Sequence, residues 1–159
     1  MTALKRLKFK MIETVLAYLV NKDEVLLLYR NKKKNDINEG KWIGVGGHIE
    51  IGESPSDALI REVKEETNLD VITFTKRGEI LFINNDFKEI MHLYVVNEYK
   101  GDIKECDEGE LRYFKIKDIF SLPMWEGDKI FLDKLFNTDE VFSLTLTYNG
   151  NKLIKSEFH

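Results

Sequence analysis

The segment GGHIEIGESPSDALIREVKEETNL, residues 46–69, decides how this chain is read. Three glutamates, Glu62, Glu65 and Glu66, crowd the C-terminal half of what its spacing predicts to be a helix. Like charges at that spacing repel, and the helix macrodipole already has its negative end there. The helix is well signalled. Ser54 can cap its start, Pro55 takes a first-turn position whose N–H would be unpaired anyway, and Asp57 completes a variant of the capping box. Asn68 tolerates the left-handed conformation that closes many helices, which gives about three and a half turns. At 100° per residue Leu59, Ile60 and Val63 share one arc and Glu62, Glu65 and Glu66 the next, each about 100° wide. One arc is expected to face a core, beside a wall of carboxylates. Arg61 and Lys64 offset the charge only in part, through i,i+3 and i,i+4 pairs. From spacing alone, a solvated acidic face is the competing reading.

The residues ahead of the helix point to a different compensation. Gly44, Gly46 and Gly47 surround Val45 just after the apolar Trp42-Ile43, so a strand is expected to end in backbone that can approach a ligand or ion closely. Gly52 then turns the chain into Glu53 and the cap. Loop carbonyls and several glutamates make an all-oxygen site, which suits a hard cation such as Mg²⁺ and does not suit zinc.

These residues resemble the signature of the Nudix hydrolases, G-x5-E-x7-R-E-U-x-E-E-x-G-U with U a bulky aliphatic. Gly47, Glu53, Arg61, Glu62, Val63, Glu65, Glu66 and Leu69 match it, and Asn68 stands where the pattern has glycine. So many constrained positions are specific in a way that a lone glycine pattern is not. With the loop KKKNDINEGKW before it, and PMWEGD and a closing hairpin after it, nearly the whole chain is similar to the MutT-like oxidised-purine nucleotide hydrolases. The resemblance implies cleavage of a nucleoside triphosphate to the monophosphate and pyrophosphate, the removal of damaged nucleotides such as 8-oxo-dGTP.

Composition fits one small enzyme domain spanning residues 1–159. The 159 residues are 43% hydrophobic, enough for one sizeable core, with no linker or low-complexity run to divide them. No apolar run reaches membrane-spanning length, and the Lys-rich start MTALKRLKFK lacks the features of a signal peptide, so a cytoplasmic location is expected. Cys106 is the single cysteine and offers neither an intrachain disulfide nor a zinc cluster. A balance of 24 basic against 28 acidic residues gives no footprint for polymeric nucleic acid. The expected partner is a small nucleotide whose phosphates are bridged by metal.

The pattern predicts mixed α and β structure. Strands are expected at Ile12–Val20 and Val25–Arg30, joined by a hairpin at residues 21–24, then at Val71–Phe74, Glu79–Asn84, Ile90–Tyr99 and Leu111–Ile116. A second helix is read over Asp128–Phe136. Asn149-Gly150 signals a hairpin between Val141–Tyr148 and Lys152–Phe158. This order resembles the Nudix fold, of class α/β (α+β): an α/β/α sandwich with a mixed β-sheet.

Carried over residue by residue, the resemblance implies that Glu62, Glu65 and Glu66, with the Gly47 carbonyl, hold Mg²⁺ (or Mn²⁺ in its place) against the phosphates. Arg61 would orient a carboxylate, against the alternative of an i,i+4 pair with Glu65, and Glu53 would position the loop or a metal-bound water. Glu108, in the acidic turn 105–110, matches a distant glutamate that supplies a further metal contact or the general base, so Glu62 and Glu108 compete for that role and Glu110 is a rival. Trp125 and Asp128 match a base-stacking tryptophan and a base-edge aspartate, with a core residue and a helix cap as the alternatives. Ile37 and Ile43 are placed at the substrate. Ile43 replaces an asparagine and Gly127 a second aspartate, so discrimination between bases is expected to be modest. Trp42 reads as a core anchor or pocket border, His48 as a phosphate contact or plain surface, and His92 and His159 carry no role.

Two other classes of function compete. Other Nudix enzymes act on ADP-ribose, dinucleoside polyphosphates or coenzyme A. Asn84 stands where a proline would signal the first of these. A non-catalytic Nudix-like regulator would be expected to have lost signature carboxylates, and all are present here.

Overall fold

The computed structural model describes residues 11–32 and 34–159; the Lys-rich start and Lys33 lie outside them. Strands β1 (Ile12–Asn21) and β2 (Glu24–Tyr29) form the first hairpin, followed by β3 (Trp42–Ile43), β4 (Val45–His48) and helix α1 (Pro55–Thr67). Then come β5 (Asp70–Asn84), β6 (Phe87–Lys100), β7 (Glu110–Lys115), a 3₁₀ turn (Ile116–Ser121), α2 (Glu126–Asn137), β8 (Phe142–Asn149) and β9 (Lys152–Phe158). The strands make one nine-stranded sheet in the order β3-β2-β1-β6-β5-β8-β9, with β4 also on β1 and β7 on β2. The sheet is mixed because β1 runs parallel to β6 and β5 parallel to β8.

Side-chain alternation in β1 explains the layers. Val15, Ala17 and Leu19 point to one face and pack with Ala58, Leu59 and Val63 of α1. Tyr18 points to the other and packs with Phe131, Leu132 and Leu135 of α2. A sheet with each face buried under a helix is the expected α/β/α sandwich. Trp42 belongs to the α2-side core, stacked on Tyr29 at 4.8 Å between ring centroids. Among the described residues no helix is long and apolar enough to cross a membrane.

Several boundaries differ from the sequence reading. Val71–Phe74 and Glu79–Asn84 belong to one strand, β5, because register shifts absorb the polar Lys76-Arg77-Gly78 between them. Gly78 lets the Phe142 backbone carbonyl of β8 approach where a Cβ would stand. Arg77 turns inward and donates to the carbonyls of Leu135 (2.9 Å), Thr138 (2.7 Å) and Glu140 (3.0 Å), satisfying acceptors at the end of α2. The strand read from Ile90 begins at Phe87, across a two-residue turn in which Asn85 takes φ 55°. Ile116 leaves β7 to open the 3₁₀ turn, its N–H donating to the Asp23 carbonyl. Asn149 still pairs with Lys152, so the last turn is Gly150-Asn151 rather than Asn149-Gly150, and β8 starts at Phe142 because Val141 is exposed. In α1 the buried face uses Ala58 with Leu59 and Val63, while Ile60 is 43% exposed.

Candidate active site

The local signals that start and stop α1 also aim its glutamates. Ser54 Oγ accepts from the Asp57 N–H at 3.1 Å, although no reciprocal bond from the Asp57 carboxylate closes the box. Asn68 closes the helix at φ 68°, ψ 7°, the left-handed conformation for which glycine is otherwise used. Between these caps the helix lies on β4. A Cβ on Gly47 would stand 2.6 Å from the Glu62 carboxylate, so glycine is what admits that side chain. The Gly46 N–H donates to Glu66 Oε2 at 3.3 Å.

Arg61 organises the polar face. Its guanidinium donates to both Glu53 oxygens (2.8 and 2.9 Å), to Glu62 (2.8 Å), to the His48 carbonyl (3.0 Å) and, less closely, to Glu65 (3.3 Å). The pair with Glu65 is therefore the weakest of its bonds. The Arg61 hydrogen bonds, ahead of one from the Glu50 region of the backbone, hold the Glu53 carboxyl at about 2. Glu62 is raised instead, because burial outweighs its bond to Arg61. Glu66 is 6% exposed, and burial, then the charges of Glu108 and Glu62, push it up to about 9.

These carboxylates share a cleft lined by Glu62, Glu65, Glu66, Asp107 and Glu108, with Lys104 at its border. Glu65 is mostly exposed. Glu108 accepts from Arg30 Nη1 at 2.8 Å, and Glu110 pairs with Arg112 on β7 and does not line the cleft. His48 contributes its carbonyl while its side chain is exposed. As placed, no group of three acidic, histidine or cysteine side chains among the described residues closes around one point. Glu62 is turned to Arg61, Glu66 to Gly46 and Glu108 to Arg30. The donors are nonetheless all oxygen, and they are near enough to raise one another's affinity for a proton. A hard divalent cation fits that chemistry.

A second cluster of predicted site residues lies where α2 begins. Helix α2 starts at Glu126, two residues earlier than read, and Asp128 lies in its first turn with its N–H on the Trp125 carbonyl, so it is not the cap. Asp128 is only partly exposed. Burial raises it to about 7, with Lys41 opposing and Glu89 adding to the shift. Trp125 is 7% exposed, edge-on to Phe82 and Tyr148, and its Nε1 donates to Asn38 Oδ1 at 2.8 Å. The place of a second aspartate is closed: a Cβ on Gly127 would meet Leu146 and the Tyr148 hydroxyl at 2.6 Å, and the Gly127 N–H donates to that hydroxyl. Ile43 pairs with Leu28 of β2 and is partly exposed, whereas Ile37 projects from the loop surface.

The acidic cleft and the Trp125 cluster are joined by a chain of bonds that the sequence reading missed. Arg30 binds Glu108 and, through Nε, Asp36; Asp36 Oδ1 accepts the Asn38 N–H at 3.2 Å; Asn38 then holds Trp125. Arg30, Asp36, Asn38 and Lys41 all flank or belong to the loop KKKNDINEGKW. Its polar residues were the only signal, since a loop has no period from which partners can be read.

With this geometry in view, the comparisons with known proteins are specific. A family model described as NUDIX domain matches residues 11–135. The chain is 35% identical over 132 residues to the uncharacterized Nudix hydrolase YvcI of Bacillus subtilis, covering 79% of this chain and 80% of that protein. It is 36% identical over 115 residues to an oxidized purine nucleoside triphosphate hydrolase of Danio rerio, covering 71% of this chain and 72% of that protein. The crystal structure of a MutT protein from Bacillus halodurans superposes with a TM-score of 0.85 at 25% identity, covering 93% of this chain and 97% of the other. With its signature carboxylates in place on α1, the chain belongs to the Nudix family, as a MutT-like hydrolase acting on phosphoric anhydride bonds.

Proposed function

We propose that the protein hydrolyses a nucleoside triphosphate, of the oxidised-purine kind such as 8-oxo-dGTP, to the monophosphate and pyrophosphate, with Mg²⁺ as its ion and Mn²⁺ as a substitute. Nudix hydrolases generally use divalent metal ions. The observation that carries the reading is the joining of an oxygen-rich acidic cleft to an aromatic cluster beside the Asp128 carboxyl, through Glu108, Arg30, Asp36, Asn38 and Trp125. Such a pair of sites matches a molecule with phosphates at one end and a purine at the other. The activity of the zebrafish relative supports the choice of substrate.

The ion would be held by Glu62, Glu65, Glu66 and Glu108 with the Gly47 carbonyl, and when bound it supplies charge neutralisation on the phosphates and an acidified water. The chain's own residues do the rest. Arg61 holds Glu53 through two hydrogen bonds and Glu62 through one, which narrows the rotamers both can sample. Glu62 takes the proton of the attacking water, with Glu108 as its rival for that role. Trp125 presents its indole and Asp128 its carboxyl to the base edge, which reads ring N–H donors when ionised.

A panel measuring pyrophosphate and phosphate release from dGTP, 8-oxo-dGTP and the other nucleoside triphosphates, beside ADP-ribose and dinucleoside polyphosphates, tests the proposal. It predicts pyrophosphate from a purine triphosphate as the fastest reaction, with only a modest preference for the oxidised base. Faster turnover of ADP-ribose or a dinucleoside polyphosphate than of any triphosphate would overturn it.

A further inference from the structure

Lys41 sits at the end of the loop that joins the acidic cleft to Trp125. Its N–H donates to the Asn38 carbonyl (3.0 Å) and its carbonyl accepts from the Arg30 N–H (3.1 Å), so its backbone is fixed just before β3. The side chain reaches to Trp125, with Nζ 4.5 Å from a ring centroid. Among the described residues Nζ makes no ion pair, although it lies near enough to Asp128 to hold that carboxyl's affinity for a proton down. A partly buried ammonium loses hydration, and here the indole face offsets the loss. The indole itself cannot swing, since Asn38 holds its edge and Phe82 and Tyr148 wedge its sides.

The other polar groups near Lys41 and Trp125 are two carboxyl groups and two tyrosine hydroxyls, none of them a cation. Asp128 lies in the first turn of α2, and Glu89, bonded by the Thr14 hydroxyl at 2.7 Å, faces it from β6. The Tyr18 hydroxyl lies beside Gly44 without a hydrogen-bond partner, and that of Tyr148 is held by Gly127. An ammonium next to a carboxylate presents donor beside acceptor. Guanine, its oxidised forms and hypoxanthine present the complement, a carbonyl oxygen flanked by a ring N–H. Adenine would set an amino group against the ammonium and a bare ring nitrogen against the carboxylate.

Building on the nucleotide hydrolysis proposed above, we infer that Lys41 reads the substrate's base, donating to its ring carbonyl while Asp128 takes the adjoining N–H. A base that stacks on Trp125 displaces the ammonium from the indole and offers it a carbonyl oxygen in exchange. Lys41 thereby supplies a polar partner that Ile43 and Gly127 do not.

Tryptophan fluorescence titrations with dGMP, dIMP and dAMP in chelator-containing buffer test this without the ion or turnover, on the native protein, Lys41→Met and Lys41→Arg. Native protein is expected to bind dGMP and dIMP at least about tenfold more tightly than dAMP, the worth of one well-placed charged hydrogen bond. Lys41→Met should lose about that factor at an unchanged melting temperature, and Lys41→Arg should keep most of it. A ratio unchanged in Lys41→Met, or an equal loss for all three nucleotides, would leave Lys41 as a cover for Trp125 and overturn the assignment. If Lys41→Met does not fold, Lys41→Gln takes its place, with a partial loss expected and an unchanged ratio again overturning it. Triphosphate hydrolysis by the native protein separates the two readings. Retained hydrolysis with an unchanged base ratio removes Lys41 alone, whereas failure to hydrolyse any triphosphate removes the function and Lys41's role with it.

Discussion

A carboxyl group 6% exposed and flanked by two others keeps its proton near neutrality unless a cation takes the proton's place, and Glu66 is raised to about 9 for that reason. The shift has a consequence for stability. The folded form holds the proton more tightly than the unfolded chain, so the contribution of neutral Glu66 is complete below its ordinary value of 4.5 and is lost as pH climbs toward 9. Metal-free protein should therefore melt at progressively lower temperature from about pH 5 to about pH 9. Glu66→Gln should flatten most of that slope, leaving a smaller one that ends near the Asp128 value of about 7. Thermal melts in chelator across that range check this, and an equally steep slope in Glu66→Gln would contradict it. Glu62→Gln separates chemistry from folding at the neighbouring position. It should lower kcat by about 10²- to 10⁴-fold while the metal-free melting temperature stays equal or rises, because one buried like charge is gone. A variant that melts early but turns over normally once folded would make Glu62 structural.

Elements were legible where local chemistry decides them and illegible where neighbours do. Both ends of α1 could be read from Ser54 and Asn68, since a cap depends on a few adjacent residues, and β1 and β2 could be read from their apolar runs. The break placed between Phe74 and Glu79 arose because Lys76, Arg77 and Gly78 look like a turn. Their partners are on α2 and β8, far along the chain, and only that packing keeps β5 continuous. Arg77 is the clearest case. Its three bonds to backbone carbonyls at the end of α2 predict that Arg77→Met destabilises the protein by about 1–3 kcal/mol, since buried acceptors lose their donor. Denaturant unfolding should show this with the kcat of the folded enzyme unchanged. A midpoint equal to that of the native protein would show that water replaces the guanidinium without cost.

For the molecule as a whole, the signature on α1 marked the acidic cleft in advance because its residues lie in one continuous stretch. The surroundings of Trp125 and Asp128 were only half legible. Trp125 and Asp128 could be singled out, but Arg30, Asp36, Asn38 and Lys41 come together with them only once β3 and α2 are packed on the same sheet. The resulting arrangement places an acidic site and an aromatic one at the two ends of a single bonded path. The proposed function makes the glutamates of α1 and the Glu108 turn a metal-dependent centre for cleaving nucleoside triphosphates. The most direct test is the rate of pyrophosphate release from 8-oxo-dGTP and dGTP as free Mg²⁺ is raised from a chelated, metal-free buffer. No turnover is expected in chelator, and the rate should rise with Mg²⁺ to saturation and be restored by Mn²⁺. Undiminished turnover in rigorously metal-free buffer would contradict it.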